Sequence, residues 1–256
     1  MKLQILGHWV GAPLEGGAAS SYLVSDDGHK LLLDCGPGAL SLLQKLNLTQ
    51  QLEAIIISHM HHDHYLDLIP LTSICFLNHM DKAEWKKIKL YVPAFNGRQI
   101  LKAIGQLMFG DQERFEMTFD IKEYAAEDIL KIGTFTVSFQ ETRHSMPCYS
   151  PRITNGEKTI VYTADTGYFD QLIVHSKGAD LLLCEATMHC ENIITTEHGH
   201  LTGGQAGQIA NLANVRRLIL THIGPNHEGH RQNIENACKA YKGTVDLAST
   251  EAVYFV

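Results

Sequence analysis

The stretch Glu53-Ala54-Ile55-Ile56-Ile57-Ser58-His59-Met60-His61-His62-Asp63-His64 decides how this chain is read. Its first half is a short, β-branched apolar run, the pattern of a strand buried on both faces. Its second half then falls on the loop at the strand's C-terminal end. Neutral imidazole together with carboxylate is the ligand set of zinc and its first-row neighbours. Side chains of this kind packed so densely would desolvate and repel one another badly without a cation between them. Histidine-rich tracts also arise from composition alone, but the His-x-His-x-Asp-His spacing behind a buried strand is not such a tract. The segment predicts a metal site with His59, His61, Asp63 and His64 as ligands, and with His62, at the free position, pointing away.

The same arrangement recurs downstream, where an apolar strand ends and a candidate ligand follows at once. Phe135–Glu141 leads to His144, Ile160–Ala164 leads to Asp165, and Leu218–Thr221 leads to His222. Each histidine taken singly reads as a satisfied polar residue at a strand end. Ligands gathered at strand ends from distant parts of a chain are how a rigid scaffold preorganises a site, and the recurrence favours that reading.

At 256 residues and 45% apolar composition, the chain reads as a single domain spanning residues 1–256 with a sizeable core. The N-terminus, Met1 to Leu6, runs straight into a strand pattern and no stretch approaches a membrane span, which predicts a cytosolic protein without a membrane partner. Six cysteines without paired spacing predict free thiols, with Cys35 and Cys148 near enough to the motifs to approach the site. A formal charge of −7 argues against a protein that grips long nucleic acids, whose affinity rests on a basic footprint. The one basic run, Lys82 to Lys89 around Trp85, reads as a solvated helix face.

Strand patterns occupy Lys2–Leu6, Ser21–Val24, Lys30–Asp34, Ala54–Ser58, Lys89–Val92, Thr134–Glu141, Arg152–Thr154, Thr159–Ala164, Asp180–Glu185 and Arg217–Thr221, with a hairpin turn at Asn155-Gly156. Helical patterns occupy Ala39–Leu46, Leu66–Leu77, Gly97–Met108, Phe169–Ser176, Thr202–Ala213 and Arg231–Ala240. Hairpins mixed with interspersed helices predict an α/β layered fold of two packed sheets flanked by helices. Asn78 to Arg114 has poor strand character overall and reads as a candidate lid over the site.

The motif at His59 to His64, followed in order by His144, Asp165 and His222 and preceded by Leu33-Asp34-Cys35-Gly36, resembles the metallo-β-lactamase superfamily of binuclear metal hydrolases across nearly the whole chain. The resemblance implies an αββα sandwich with the site at one edge. It also implies that His59, His61 and His144 hold one metal, that Asp63, His64 and His222 hold a second, and that Asp165 bridges both. Asp34 would steady the histidine loop from behind. Two divalent ions are implied, zinc by the imidazole content, with manganese or iron also suited to a mixed His and carboxylate site.

Within the superfamily, Leu183-Cys184-Glu185-Ala186-Thr187 and His198-Gly199-His200-Leu201-Thr202 look like the phosphodiesterase branch typified by tRNase Z. There a Glu-Ala-Thr strand end pairs with a His-x-Thr helix start. By that resemblance Glu185 orients His200, and His200 assists the departing oxygen; from the residues alone, His198 is an equal rival. Only twenty residues separate His144 from Asp165, where tRNA-processing relatives carry a long arm, and the N-terminal pattern is altered to Gly7-His8-Trp9-Val10-Gly11-Ala12-Pro13. His8 is either an ordinary loop residue or an additional site residue. The best match is to short, armless relatives acting on small or cyclic phosphodiesters, which also implies a homodimer. The expectation is a binuclear phosphodiesterase in which Asp63 accepts a hydrogen bond from the nucleophile. An RNA endonuclease, a glyoxalase-type thioester hydrolase and a non-hydrolytic metal sensor remain as alternatives.

Overall fold

The computed structural model describes residues 1–81, 84–189 and 199–256. Two seven-stranded sheets face each other. The first is ordered β14-β1-β2-β3-β4-β5-β6 and the second β13-β12-β11-β10-β9-β8-β7. The first contains β1 (Lys2–Gly7), β2 (Ser21–Asp26), β3 (His29–Leu33), β4 (Ala54–Ile56), β5 (Ile88–Pro93), β6 (Phe119–Tyr124) and β14 (Val253–Phe255). The second contains β7 (Ile129–Ile132), β8 (Phe135–Glu141), β9 (Tyr149–Thr154), β10 (Thr159–Tyr162), β11 (Leu181–Glu185), β12 (Arg217–Thr221) and β13 (Thr244–Leu247). In each sheet three antiparallel pairings are followed by three parallel ones.

Alternation along the strands builds the layers, because successive side chains point to opposite faces. Ala54 and Ile56 of β4 join Leu31, Leu33, Ile160, Tyr162, Leu183 and Ile219 in the core between the sheets. Ile55 and Ile57 point the other way, into a second core with Leu90 and Val92. That core is covered by α1 (Ala39–Lys45), α3 (Leu68–Met80) and α4 (Gly97–Phe109). Across the molecule, Val161, Leu182, Cys184, Leu218 and Leu220 form a third core under α5 (Asp170–Ser176), α6 (Gly203–Leu212) and α7 (His227–Ala240). The αββα layering agrees with the sequence reading.

Three expectations are corrected. The described part of Asn78–Arg114 is not a lid: β5 is an inner strand of the first sheet and α4 packs on it through Leu101. The described part of the basic run, residues 84–89, is not a helix face, and Lys82 lies outside the described residues. Residues 84–87 run without helix into β5, and Trp85 lies half-buried with its Nε1 donating to the Thr118 carbonyl at 3.3 Å. The third correction concerns β6, β7, β13 and β14, which the strand patterns omit and which are the four edges of the two sheets. β7, β13 and β14 are short and partly solvated, so their alternation is weak; β6 is longer and buries Phe119, Ile121 and Tyr124, an alternation that the strand patterns pass over.

No helix among the described residues is long and apolar enough to cross a membrane. The described cysteines Cys35, Cys75, Cys148, Cys184 and Cys238 are all free thiols.

Candidate metal centre

The candidate ligands stand on the loops that follow β4, β8, β10 and β12. After β4 the chain makes a short loop and then a single helical turn, α2 (His62–Tyr65), which brings Asp63 and His64 inward and leaves His62 exposed, with its Nε2 2.8 Å from the Gly11 carbonyl. This turn is clamped to the end of β3. The Cys35 N–H donates to the His64 carbonyl at 2.7 Å and the Asp67 N–H to the Cys35 carbonyl at 3.1 Å. Gly36 passes so close that an added Cβ would lie 2.1 Å from the Asp63 carbonyl oxygen, so only glycine fits there.

Two main groups of donor atoms result, with Asp165, His200 and His222 forming a further, overlapping set. His59 Nε2 and His144 Nε2 each lie 3.0 Å from His61 Nδ1, and Asp165 Oδ2 lies 3.6 Å from His59 Nε2 and 3.8 Å from His144 Nε2. On the other side, Asp63 Oδ2 lies 3.2 Å from His222 Nε2 and 3.8 Å from His64 Nε2. The second oxygen of Asp165, Oδ1, lies 3.5 Å from both His64 Nε2 and His222 Nδ1. Asp165 thus turns one oxygen to each group. His59, His61, His144 and Asp165 form one set able to hold an ion, and Asp63, His64 and His222 form another.

The chemistry of the donors fits divalent metal. Buried polar atoms are normally hydrogen-bonded, yet buried His64 Nε2 and Asp165 Oδ1, both turned into the site, have no hydrogen-bond partner among the described residues. Burial, reinforced by neighbouring imidazoles, drives the pKa of His59 well below its ordinary value and lowers His61 and His144, favouring the neutral, ligating form. His64 goes the other way. Burial opposes its charge, but Asp165 and Asp34 raise its pKa well above the usual range. Asp165, although burial disfavours its charge, is held well below the ordinary carboxylate range by His222, His64 and His59. Asp63 is likewise lowered, its burial outweighed by His222, His64 and the Gly11 N–H, which donates to Oδ2 at 2.7 Å. The pocket attracts positive charge.

Most of the imidazoles are oriented from behind. His59 Nδ1 meets Ser58 Oγ at 3.1 Å, His64 Nδ1 meets Asp34 Oδ2 at 2.7 Å, His144 Nδ1 meets the Gly199 carbonyl at 3.1 Å, and His222 Nδ1 meets Thr187 Oγ1 at 2.8 Å. Such outer partners fix ring orientation and tautomer. Asp34, fully buried, also accepts from the Ser58 N–H at 2.7 Å, Ser58 Oγ at 2.9 Å and the Tyr162 hydroxyl at 2.9 Å. Asp34→Asn would set an amide against these donors. Stability should fall by on the order of 3 kcal/mol, seen as a drop in Tm of roughly 6–12 °C; an unchanged Tm would refute the anchoring role.

Beside the two groups stands His200, its Nδ1 2.8 Å from Glu185 Oε1 and its ring centroid 5.2 Å from that of His144 and 5.6 Å from that of His222. Burial opposes its charge, but Glu185 raises its pKa to about 9. Its rival His198, like Cys190, lies outside the described residues. His8 is not brought to the centre: buried against Trp9, with ring centroids 4.8 Å apart, its pKa is lowered by burial and by His230 to about 4. Cys148 does approach, its Sγ donating to the Asp165 carbonyl at 3.4 Å, but burial raises its thiol pKa well above normal. Cys35 is buried behind the loop with its thiol pKa raised in the same way. Among the supporting residues, Ser58, Thr187 and Gly199 sit inside the quoted motifs but nothing in the sequence marks them as partners of the imidazoles, and Tyr162 carries no signal beyond its place in a strand.

The family described as "Beta-lactamase superfamily domain" matches residues 29–223. The probable metallo-hydrolase YhfI of Bacillus subtilis is 33% identical over 99% of this chain and 99% of its own. A crystal structure of Bacillus subtilis YhfI superposes with a TM-score of 0.88 at 30% identity, covering 99% of this chain and 98% of that one. A ribonuclease Z of Azobacteroides pseudotrichonymphae is 27% identical over 98% of this chain and 97% of its own. With a family match across most of its length and a relative aligned almost end to end, the chain belongs to the beta-lactamase superfamily, among its metallo-hydrolases.

Proposed function

We propose that the protein is a cytosolic, binuclear phosphodiesterase acting on small or cyclic phosphodiesters. His59, His61 and His144 would hold one divalent ion, Asp63, His64 and His222 the other, and Asp165 would be shared, with zinc favoured by the imidazole-rich set. Two such ions supply Lewis-acid polarisation of a phosphoryl oxygen and a lowered pKa for water. Asp63 is ionised and its described hydrogen bonds fall on Oδ2, so Oδ1 serves to accept a proton-bearing nucleophile and aim it. His200 carries the proton that the leaving alkoxide needs, with Nδ1 fixed by Glu185 and Nε2 without a hydrogen-bond partner among the described residues.

That pairing is the observation that carries the reading. A cationic imidazole backed by a buried carboxylate, within 6 Å of both ligand groups, suits the departure of a basic oxygen from phosphorus. A thiolate leaving group needs no such acid. The free thiols support a reducing compartment.

A second reading, RNA cleavage, is favoured by the similarity to a ribonuclease Z. The charge of −7 and the tight turn between β9 and β10, where Asn155 Oδ1 accepts from the Glu157 and Lys158 N–H groups, argue for a smaller substrate. The test is turnover of bis(p-nitrophenyl) phosphate with zinc or manganese supplied, beside a thioester, a β-lactam and a tRNA precursor. Hydrolysis of the phosphodiester, abolished by chelation, is the expected result. No such turnover with metal bound, or hydrolysis of the thioester in its place, would overturn the proposal.

A further inference from the structure

Glu185 is fully buried at the end of β11 and serves more than His200. Its Oε1 accepts from the Thr166 N–H at 2.8 Å and meets His200 Nδ1 at 2.8 Å; its Oε2 accepts from the Thr187 N–H at 3.2 Å and from Thr187 Oγ1 at 2.8 Å. The Thr187 hydroxyl also lies 2.8 Å from His222 Nδ1 and 2.9 Å from the His222 carbonyl. The backbone holds this geometry firmly, since the Ala186 N–H donates to the Thr221 carbonyl at 2.9 Å and ties the two strand ends together.

A hydroxyl has one proton to give and lone pairs to receive. Among the acceptors in reach the carboxylate is the strongest, because a charge-assisted hydrogen bond outweighs a neutral one. With the proton committed to Glu185, the hydroxyl meets His222 Nδ1 with a lone pair, and the contact is favourable only if Nδ1 carries the ring proton. His222 Nε2 is then left with its lone pair at the second ligand group, 3.2 Å from Asp63 Oδ2. In the opposite tautomer Nε2 would carry the proton and donate to Asp63, and could not bind a cation.

We infer that Thr187 is a positioning residue that sets the tautomer of His222, so that one buried carboxylate, Glu185, directs both His200 and, through the Thr187 hydroxyl, a ligand of the second ion. The inference rests on the two-ion reading above. It joins two parts of the site that the ligand pattern treats separately, the histidine beside the leaving group and the second metal group.

The test compares the zinc-loaded wild type with Thr187→Val and Thr187→Ser. Each is dialysed against zinc buffers of stepped chelator strength, and zinc per chain is counted by elemental analysis, with circular dichroism and Tm recorded alongside. Thr187→Val keeps the volume and removes the hydroxyl. The expected result is two ions in wild type and in Thr187→Ser, and selective weakening of one ion in Thr187→Val by roughly 10–100-fold in dissociation constant, the usual effect of removing an outer partner. Equal affinity for both ions in Thr187→Val and wild type overturns the inference and leaves the phosphodiesterase reading standing. Equal weakening of both ions, or loss in Thr187→Ser as severe as in Thr187→Val, also overturns it. A wild type that binds fewer than two ions removes the two-ion reading itself, and the inference with it.

Discussion

Asp165→Ala is expected to lose phosphodiester turnover by at least about a thousandfold, beyond what removal of a single transition-state donor costs. The reason is its position. One oxygen faces His59 and His144 and the other faces His64 and His222, so Asp165 alone among the described candidate ligands reaches both groups. Two dications held a few ångströms apart repel four times as strongly as two unit charges, and a shared carboxylate is what screens them. The variant should therefore bind less metal as well as turn over slowly, while its folded structure persists, because Asp165 lies at the rim of the sheets and not between them. Elemental analysis and kcat/KM on the same preparation check both claims. Activity within about tenfold of wild type, roughly 1.4 kcal/mol of barrier, would show that the carboxylate is not shared.

His200→Ala should lower kcat by roughly 10²–10⁴-fold, the range of general acid catalysis, with metal content unchanged. The pH profile gives an independent reading. His200 has its pKa raised to about 9, burial being outweighed by Glu185, so the proton is in place below that pH and is lost as pH rises through it. Bound dications nearby push the same pKa down, which sets the falling limb of kcat at or below pH 9. The limb should vanish in His200→Ala. It should also be absent for a substrate whose leaving group departs without a proton, and persistence of the limb in the variant would assign it to another group.

How far the sequence foretells this molecule depends on where each residue draws its constraint. The inner strands are legible because both of their faces are buried; Ile55, Ile56 and Ile57 serve three-dimensional needs that a short apolar run states openly. The short edge strands β7, β13 and β14 are not legible, since half of each has no partner to demand a residue type, whereas β6 shows its alternation at Phe119 and Ile121. The candidate ligands are legible for a related reason. His59 to His64 are neighbours in sequence, and His144, Asp165 and His222 each follow closely on an apolar strand. What holds them is not. Tyr162 reaches Asp34 across 128 positions, and Thr187 reaches His222 across 35. A tyrosine or threonine in a strand or at its end suits that place anyway, so nothing marks it as an anchor. The lid expected at Asn78–Arg114 fails because the strand and helix patterns inside it, Lys89–Val92 and Gly97–Met108, belong to the sheet and its cover, with Ile88, Leu90 and Val92 buried in the core beneath α4.

The matching order of pairings in the two sheets carries a consequence for where the donor set can stand. Residues 2–124 and 135–247 trace the same path, three strands back and forth and then three in parallel, with β14 and β7 added at the matching outer edges. The equivalent third strands are each followed within two residues by a non-glycine residue in the left-handed region, Asp34 at φ 58° and Ala164 at φ 52°. His59, His61, Asp63 and His64 stand on one half, and His144, Asp165 and His222 on the other. Each group draws donors from both halves, so a slip of one sheet over the other would open both groups at once. The donor set is a seam, and it reports whether the two halves are in register.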